Sequence, residues 1–157
     1  MTTTLTAGTL TVTVTEALTL NGVDQGATNT RTIASIAEIS KRIVTTTTTE
    51  SLIASFGSAI AQGTYIIANV RYIRLTNLDD TNFIKITFLN EDNDEVAIKL
   101  DAGQSFIWNG DNNGGMVDVF NATQAADAGA GSLGDLATIQ ADADTADCDL
   151  EMIIASV

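Results

Sequence analysis

The chain has 157 residues, with twenty acidic side chains against seven basic ones, no histidine, no proline and one cysteine. A net charge of −13 repels phosphates and anionic headgroups, so neither nucleic acid nor a membrane surface is an expected partner. Without histidine the commonest general base and zinc ligand are missing, and Cys148 alone permits no intrachain disulfide.

The opening MTTTLTAG has neither a basic nor a long apolar region, so no signal peptide is expected. No apolar run reaches the ~18 residues of a membrane span. The chain is therefore expected to be made and folded in a cytoplasm. Charged residues are only 17%, so threonine, asparagine, serine and glycine must supply the polar surface. Threonine's branched Cβ suits a pleated surface, which tilts the whole chain towards β-structure.

Thr9 to Leu20, TLTVTVTEALTL, alternates. Leu10, Val12, Val14, Leu18 and Leu20 fall on one face; Thr9, Thr11, Thr13, Thr15 and Thr19 fall on the other. Period two marks a half-buried strand. Asn21-Gly22 follows as a turn, since both residues tolerate positive φ. DQGATNTRT reads as a loop or as the returning hairpin arm. In IASIAEISKRIV, Ile33, Ile36, Ala37 and Ser40 share a helical face that Ile43 extends, whereas Ile39, Lys41 and Ile43 fit a strand. A short helical turn and an extended backbone are equally compatible near Ile33 to Ile36, with a strand from about Ile39.

Five threonines, Thr45, Thr46, Thr47, Thr48 and Thr49, come next. A flexible linker would carry Gly, Ser or Pro, and none lies between Arg42 and Glu50. The flanks, Ile43-Val44 and Leu52-Ile53, are apolar. One long strand, or two strands with a bend, is predicted, ordered at a sheet edge or a subunit boundary where unpaired strands invite pairing.

Beyond it, Tyr65 to Ile67 and Val70 to Leu78 read as strands broken near Ala68-Asn69. NLDDTN is turn chemistry. Ile84, Ile86 and Phe88 share one face, and so do Val96, Ile98 and Leu100, with NEDNDE closing a hairpin between them. After a DAG turn, Phe106 and Trp108 share a face. NGDNNGG is a loop, MVDVF a short strand, and the Ala/Gly/Asp-rich stretch after it a loop with one helical turn around Leu133 to Ile139. DLEMIIASV ends the chain as a strand. Nine or ten short strands with frequent turns predict an all-β protein, an antiparallel β-sandwich or jelly roll, in one domain spanning 1–157.

Candidate sites are few. Asp142, Asp144, Asp147 and Asp149, and separately Asp111, Asn112 and Asn113, offer oxygens that Ca²⁺ requires, but neither stretch has the EF-hand spacing, and a solvated acidic loop explains both. Trp108 with Asn109, Asp111 and Asn112 could form a platform for a sugar; its alternation with Phe106 is equally that of a core residue. Arg71 and Arg74 flank Tyr72 without the Gly-rich cradle of a phosphate site, and are expected to pair with carboxylates of this chain or of a neighbour. No serine has a histidine base, and no G-x-S-x-G or S-x-x-K pattern occurs. A small hydrolase would need two acids in one cleft, roughly 5–9 Å apart. Acidic neighbours raise the Cys148 thiol and argue against a reactive thiolate. No enzyme activity and no cofactor are expected.

The stretch RYIRLTNLDDTNFIKITFLNEDNDEVAIKLDAGQSFIW, Arg71 to Trp108, resembles small β-sandwich virion proteins of tailed phages, especially marine and cyanobacterial ones. A strand ending in Asn, a DDTNF turn, an alternating hairpin and a closing IKLDAGQSFI carry the likeness. TLTVTVTEALTLNGVDQGATNTRTI and RIVTTTTTES resemble the N-terminal half of the same group. The resemblance implies a virion structural protein, a capsid decoration (cement) protein or a tail or fibre component that binds a receptor or glycan. It implies a homotrimer or other homo-oligomer that contacts other virion proteins such as the major capsid protein, with no catalytic residues.

Overall fold

The computed structural model describes residues 5–109 and 135–157. The expected strand at 116–120 and the Asp111, Asn112 and Asn113 loop lie outside them. In chain order the strands are β1 (Gly8–Glu16), β2 (Thr19–Leu20), β3 (Val23–Asp24), β4 (Ala27–Ile36), β5 (Glu38–Thr46), β6 (Ser51–Gly57), β7 (Thr64–Ile66), β8 (Val70–Asn77), β9 (Ile84–Asn90), β10 (Glu95–Leu100), β11 (Ser105–Asn109), β12 (Leu136–Ala143) and β13 (Cys148–Ser156). A 3₁₀ turn, Ile67–Asn69, makes the break between β7 and β8. The described residues contain no α-helix, and the all-β expectation holds.

Two sheets carry the fold, ordered β10-β9-β12-β6-β7 and β11-β8-β13-β5. Within them only β6–β7 is parallel. Setting β7 aside, the pairing is nested: β5 with β13, β6 with β12, β8 with β11, β9 with β10. Ile53, Ile84, Ile86, Phe88 and Ile139 of one sheet, with Ile73, Leu75, Leu150, Met152 and Ile154 of the other, form the main core. Each such side chain contributes about 1.5–3 kcal/mol by leaving water. Phe88 anchors it, with its ring centroid 5.3 Å from Phe106 and 5.5 Å, edge-on, from Trp108.

Two segments whose spacing allowed a helical turn are strands with bulges. Gly8 faces Ile36 and Leu10 faces Ile33, so β4 carries one extra residue, accommodated by Ser35 at φ 62°. In an unbroken strand, residues three apart point to opposite faces; one extra residue brings them back to the same face. Ile33 and Ile36 therefore pack into one cluster, as they would on a helix. Of the turn expected around Leu133 to Ile139, residues 133 and 134 lie outside the described residues, and the rest is corrected likewise. Leu136 faces Asn90 and Thr138 faces Leu89, so β12 has an extra residue, and Leu136 and Ile139 both reach the main core.

The threonine run proves to be two strands joined by a bend. Thr45 and Thr46 finish β5, and 47–50 turns the chain into β6. The Thr49 amide donates to Thr47 Oγ1 at 3.3 Å, and the Thr47 carbonyl accepts from the Ala143 amide at 2.8 Å. The run's polar faces suited solvent, a sheet edge or a neighbouring chain. Thr46 is instead fully buried, because its hydroxyl is satisfied by the Cys148 carbonyl at 2.9 Å.

The Asn that ends β8 explains the DDTNF and IKLDAGQ segments. Asn77 is buried. Its Nδ2 donates to the carbonyls of Asn82 (2.8 Å) and Leu100 (3.1 Å), and its Oδ1 accepts from the Asp79 amide (3.0 Å). One side chain thereby ties the 78–82 turn to the end of β10.

Candidate functional site

The surface that the core does not explain begins at β1. Its alternation pairs it with β4 in a two-stranded antiparallel ribbon. Thr13 with Thr30 (3.3 Å) and Thr28 with Thr15 (3.4 Å) form a cross-strand hydroxyl ladder. Asn21 and Gly22 take positive φ, 51° and 78°, making the two-residue turn that joins β2 to β3 at the tip. Gly26 is required beside it: a Cβ there would stand 2.3 Å from the Glu16 carbonyl oxygen.

Among the described residues, the base of the ribbon is the part that packs on the sandwich. Val12 and Ile33, with Leu10 and Ile36 at their sides, cover Tyr72, Ala155 and Ile153 on the outer face of the four-stranded sheet. The tip is left bare, with Leu18, Leu20 and Val23 at 55%, 59% and 57% exposure. The single apolar face read from Leu10 to Leu20 is thus covered at one end and open at the other.

The outer face of that sheet follows from its registers. One row runs Ile43, Glu151, Thr76, Ser105 across β5, β13, β8 and β11; the next runs Lys41, Ile153, Arg74, Ile107; the last runs Ile39, Ala155, Tyr72, Asn109. At the β5 edge, Ile39 and Ile43 are 63% and 58% exposed. Between these rows Glu151 takes Lys41 at 2.9 Å on one side and Arg74 on the other. Thr45 donates to Asp149 Oδ1 at 2.8 Å, just beyond.

The candidate residues are distributed as follows. Thr45 and Thr46 lie on the edge strand β5 and Thr47, Thr48 and Thr49 in the turn after it. Arg74 meets a carboxylate of its own chain. Arg71 is buried at the β8 bulge and donates to the Ala68 (2.7 Å) and Val70 (3.3 Å) carbonyls. Trp108 packs against the main core, and Asn109 is exposed beside the ribbon. Asp142 binds Lys85 at 3.0 Å, while Asp147 and Asp149 line a shallow acidic pocket with Asp79 and Asp80. Among the described residues no three acidic or thiol side chains are grouped to hold a metal ion. A cleft of about 500 Å³ opens between β5 and β7, lined by Glu38, Ser40, Arg42 and Tyr65. It is crossed by a Tyr65 hydroxyl to Ser40 Oγ bond of 2.9 Å, and Arg42 reaches the Ile53 carbonyl of the other sheet. Sequence reasoning missed the ribbon's projection and the Ile39/Ile43 patch, since alternation shows a face but not whether anything covers it.

Burial, and then the nearby Asp79 carboxylate, push the Cys148 thiol up. The Lys41 ammonium, with help from Arg74, holds Glu151 below its ordinary value of 4.5. A carboxylate depressed in the folded state stabilises above its unfolded value and loses that contribution as pH falls through the folded one. Stability is therefore expected to decline as pH drops below about 4.5. Glu151→Gln should lower the urea midpoint at pH 7 and flatten the acid decline. Part of the decline will persist, because the Asn82 and Thr81 amides likewise depress Asp79. A variant with wild-type acid sensitivity would remove Glu151 from this role.

Compared with known proteins, the chain matches no protein family, no curated protein and no solved structure.

Proposed function

We propose that this chain is a non-enzymatic structural protein of a virion, a capsid decoration protein that stabilises a tailed-phage head through multimeric β-rich contacts. The observation that carries the reading is the presence of both a bare apolar ribbon tip and an exposed apolar sheet edge on a sandwich whose described strands already enclose a core. A folded domain keeps such residues in water at no benefit to itself, and contiguous apolar exposure marks an interaction surface. A two-stranded ribbon is also marginal in water without cover. We read the nested pairing of the eight sandwich strands as jelly-roll order, an arrangement that recurs in viral capsid and lectin domains. The likeness of Arg71 to Trp108 to phage virion proteins points the same way.

Size-exclusion chromatography with light scattering should give a homo-oligomer, and the chain should co-purify with assembled heads of its source virus. A monodisperse monomer absent from particles would falsify the proposal. Enrichment on isolated tails, with glycan binding, would favour a tail or fibre component instead.

A further inference from the structure

We infer that the cleft between β5 and β7 binds a neutral, hydroxyl-rich ligand, a short saccharide. The inference goes beyond assembly: it concerns a site on one subunit and holds on a head or on a tail.

The cleft starts from the inner face of β5. Glu38, Ser40, Arg42, Val44 and Thr46 are registered with Ser156, Ile154, Met152, Leu150 and Cys148. Residues directly opposite in an antiparallel pair share a face, and the last four partners belong to the main core. The five β5 side chains therefore point between the two sheets. Val44 packs on the core there. Glu38, Ser40 and Arg42 instead set an acid, a hydroxyl and a guanidinium on a face that packing alone would fill with apolar side chains, and such inward polar groups are the informative departures. Across from them the other sheet ends in β7, three residues long, which brings Tyr65 to the cleft.

The walls are fixed while their polar groups stay open. The Tyr65 hydroxyl donates to Ser40 Oγ, and Phe56 backs its ring with centroids 5.8 Å apart. One Nη of Arg42 is engaged by the Ile53 carbonyl, which anchors the side chain and leaves most of its N–H groups to the cleft. Ser156 is only 6% exposed, yet its hydroxyl has no partner among the described residues. The same holds for the Glu38 carboxylate and the Asn69 side-chain amide, and all three residues line the cleft.

These groups select the ligand by elimination. An anion would meet Glu38 and a single guanidinium, on a chain of net charge −13. A cation would meet Arg42. An apolar ligand would strip water from a carboxylate, an amide and hydroxyls and replace none of their hydrogen bonds. Sugar hydroxyls both donate and accept, so they serve an acceptor-only carboxylate, a donor-only guanidinium and the two-way amide and hydroxyl together. The C–H face of a sugar ring packs on an aromatic ring such as Tyr65. The cleft's volume of about 500 Å³ lies within the range of ligand sites, roughly 300–1,000 Å³. Glu38 to Arg42 spans roughly 13 Å of strand, room for more than one sugar ring.

The test applies the full-length chain to an array of neutral, sialylated and phosphorylated glycans and titrates the strongest ligand by saturation-transfer NMR. Binding to neutral glycans is expected, weakened at least tenfold by Glu38→Ala and by Asn69→Ala, each with an unchanged far-ultraviolet circular dichroism spectrum. Glu95→Ala, on the opposite edge of the five-stranded sheet, should bind as wild type does. No glycan binding at millimolar concentration overturns the inference and leaves a hydrated gap. Preference for the acidic glycans overturns it, and so does binding that both cleft substitutions leave intact. Capture of an extended peptide from a displayed library, with no glycan bound, overturns it in favour of strand addition along β5. The oligomeric state is read separately by light scattering, so none of these results decides the assembly proposal.

Discussion

Replacing Phe88 with alanine should lower the free energy of unfolding by about 3–5 kcal/mol, the range for emptying a buried aromatic site. Phe88 lies at the centre of the core, almost without exposure, and holds both Phe106 and Trp108 by ring contacts. The loss combines the transfer of the ring with the cavity left behind. The strand that carries Phe88, hydrogen-bonded along both edges to β10 and β12, cannot move into that space. Urea unfolding followed by Trp108 fluorescence measures the effect. The chain's one tryptophan should also emit at longer wavelength in the folded variant, since its ring loses its edge-on partner. Ile43→Ala, on the exposed edge, serves as control and should stay within about 0.5 kcal/mol for an unassembled chain. A Phe88→Ala cost below that of one methylene, roughly 0.8 kcal/mol, would show that the core repacks freely.

The second large effect is expected at Asn77. Asn77→Leu keeps the branched shape and removes every polar contact of the side chain. Two carbonyls, of Asn82 and Leu100, lose their donor and the Asp79 amide loses its acceptor. Buried groups left without partners cost about 1–3 kcal/mol each, and water reaching the turn recovers some of it, so a loss of about 3 kcal/mol is expected. Asn77→Asp separates shape from chemistry. It keeps the acceptor but points a carboxylate at two carbonyl oxygens, which raises its folded pKa. A carboxyl raised on folding destabilises above its unfolded pKa and ceases to do so as it protonates. The gap between wild type and Asn77→Asp should therefore narrow as pH falls. A constant gap across pH 4–8 would mean the carboxylate finds other donors.

The same Asn shows how far the sequence could be read. NLDDTN and DAG were legible as turns because Asp, Asn and Gly have local chemistry that specifies turns. That one side chain joins them was not legible, because Asn77 and Leu100 are distant in the chain. Asn21-Gly22 was read correctly for the same local reason. Bulges defeated the reading where it failed. Ile33 with Ile36, and Leu136 with Ile139, have helical spacing, and the extra residue that restores their common face is defined only by the partner strand. Val70 and Ile73 repeat the pattern in β8 without misleading, because Tyr72 and Arg74 keep the alternation visible beside them.

For the candidate surface the division is similar. Composition and absent motifs turned the search away from catalysis and towards contacts. Thr45 to Thr49 were expected at a sheet edge or a subunit boundary; Thr45 and Thr46 end the edge strand β5, and Thr47 to Thr49 lie in the turn after it. The exposed apolar residues lie elsewhere, however, on Ile39, Ile43 and the ribbon tip.

Alternation, turn residues and the scarcity of charge were enough to determine an all-β chain of short strands, since strand formation answers to local side-chain preferences and period. The order of the strands, the burial of Thr46 and Arg71, and the bareness of Leu18, Leu20 and Val23 came from the tertiary structure alone. Each depends on which distant segment lies opposite, and no local pattern encodes that.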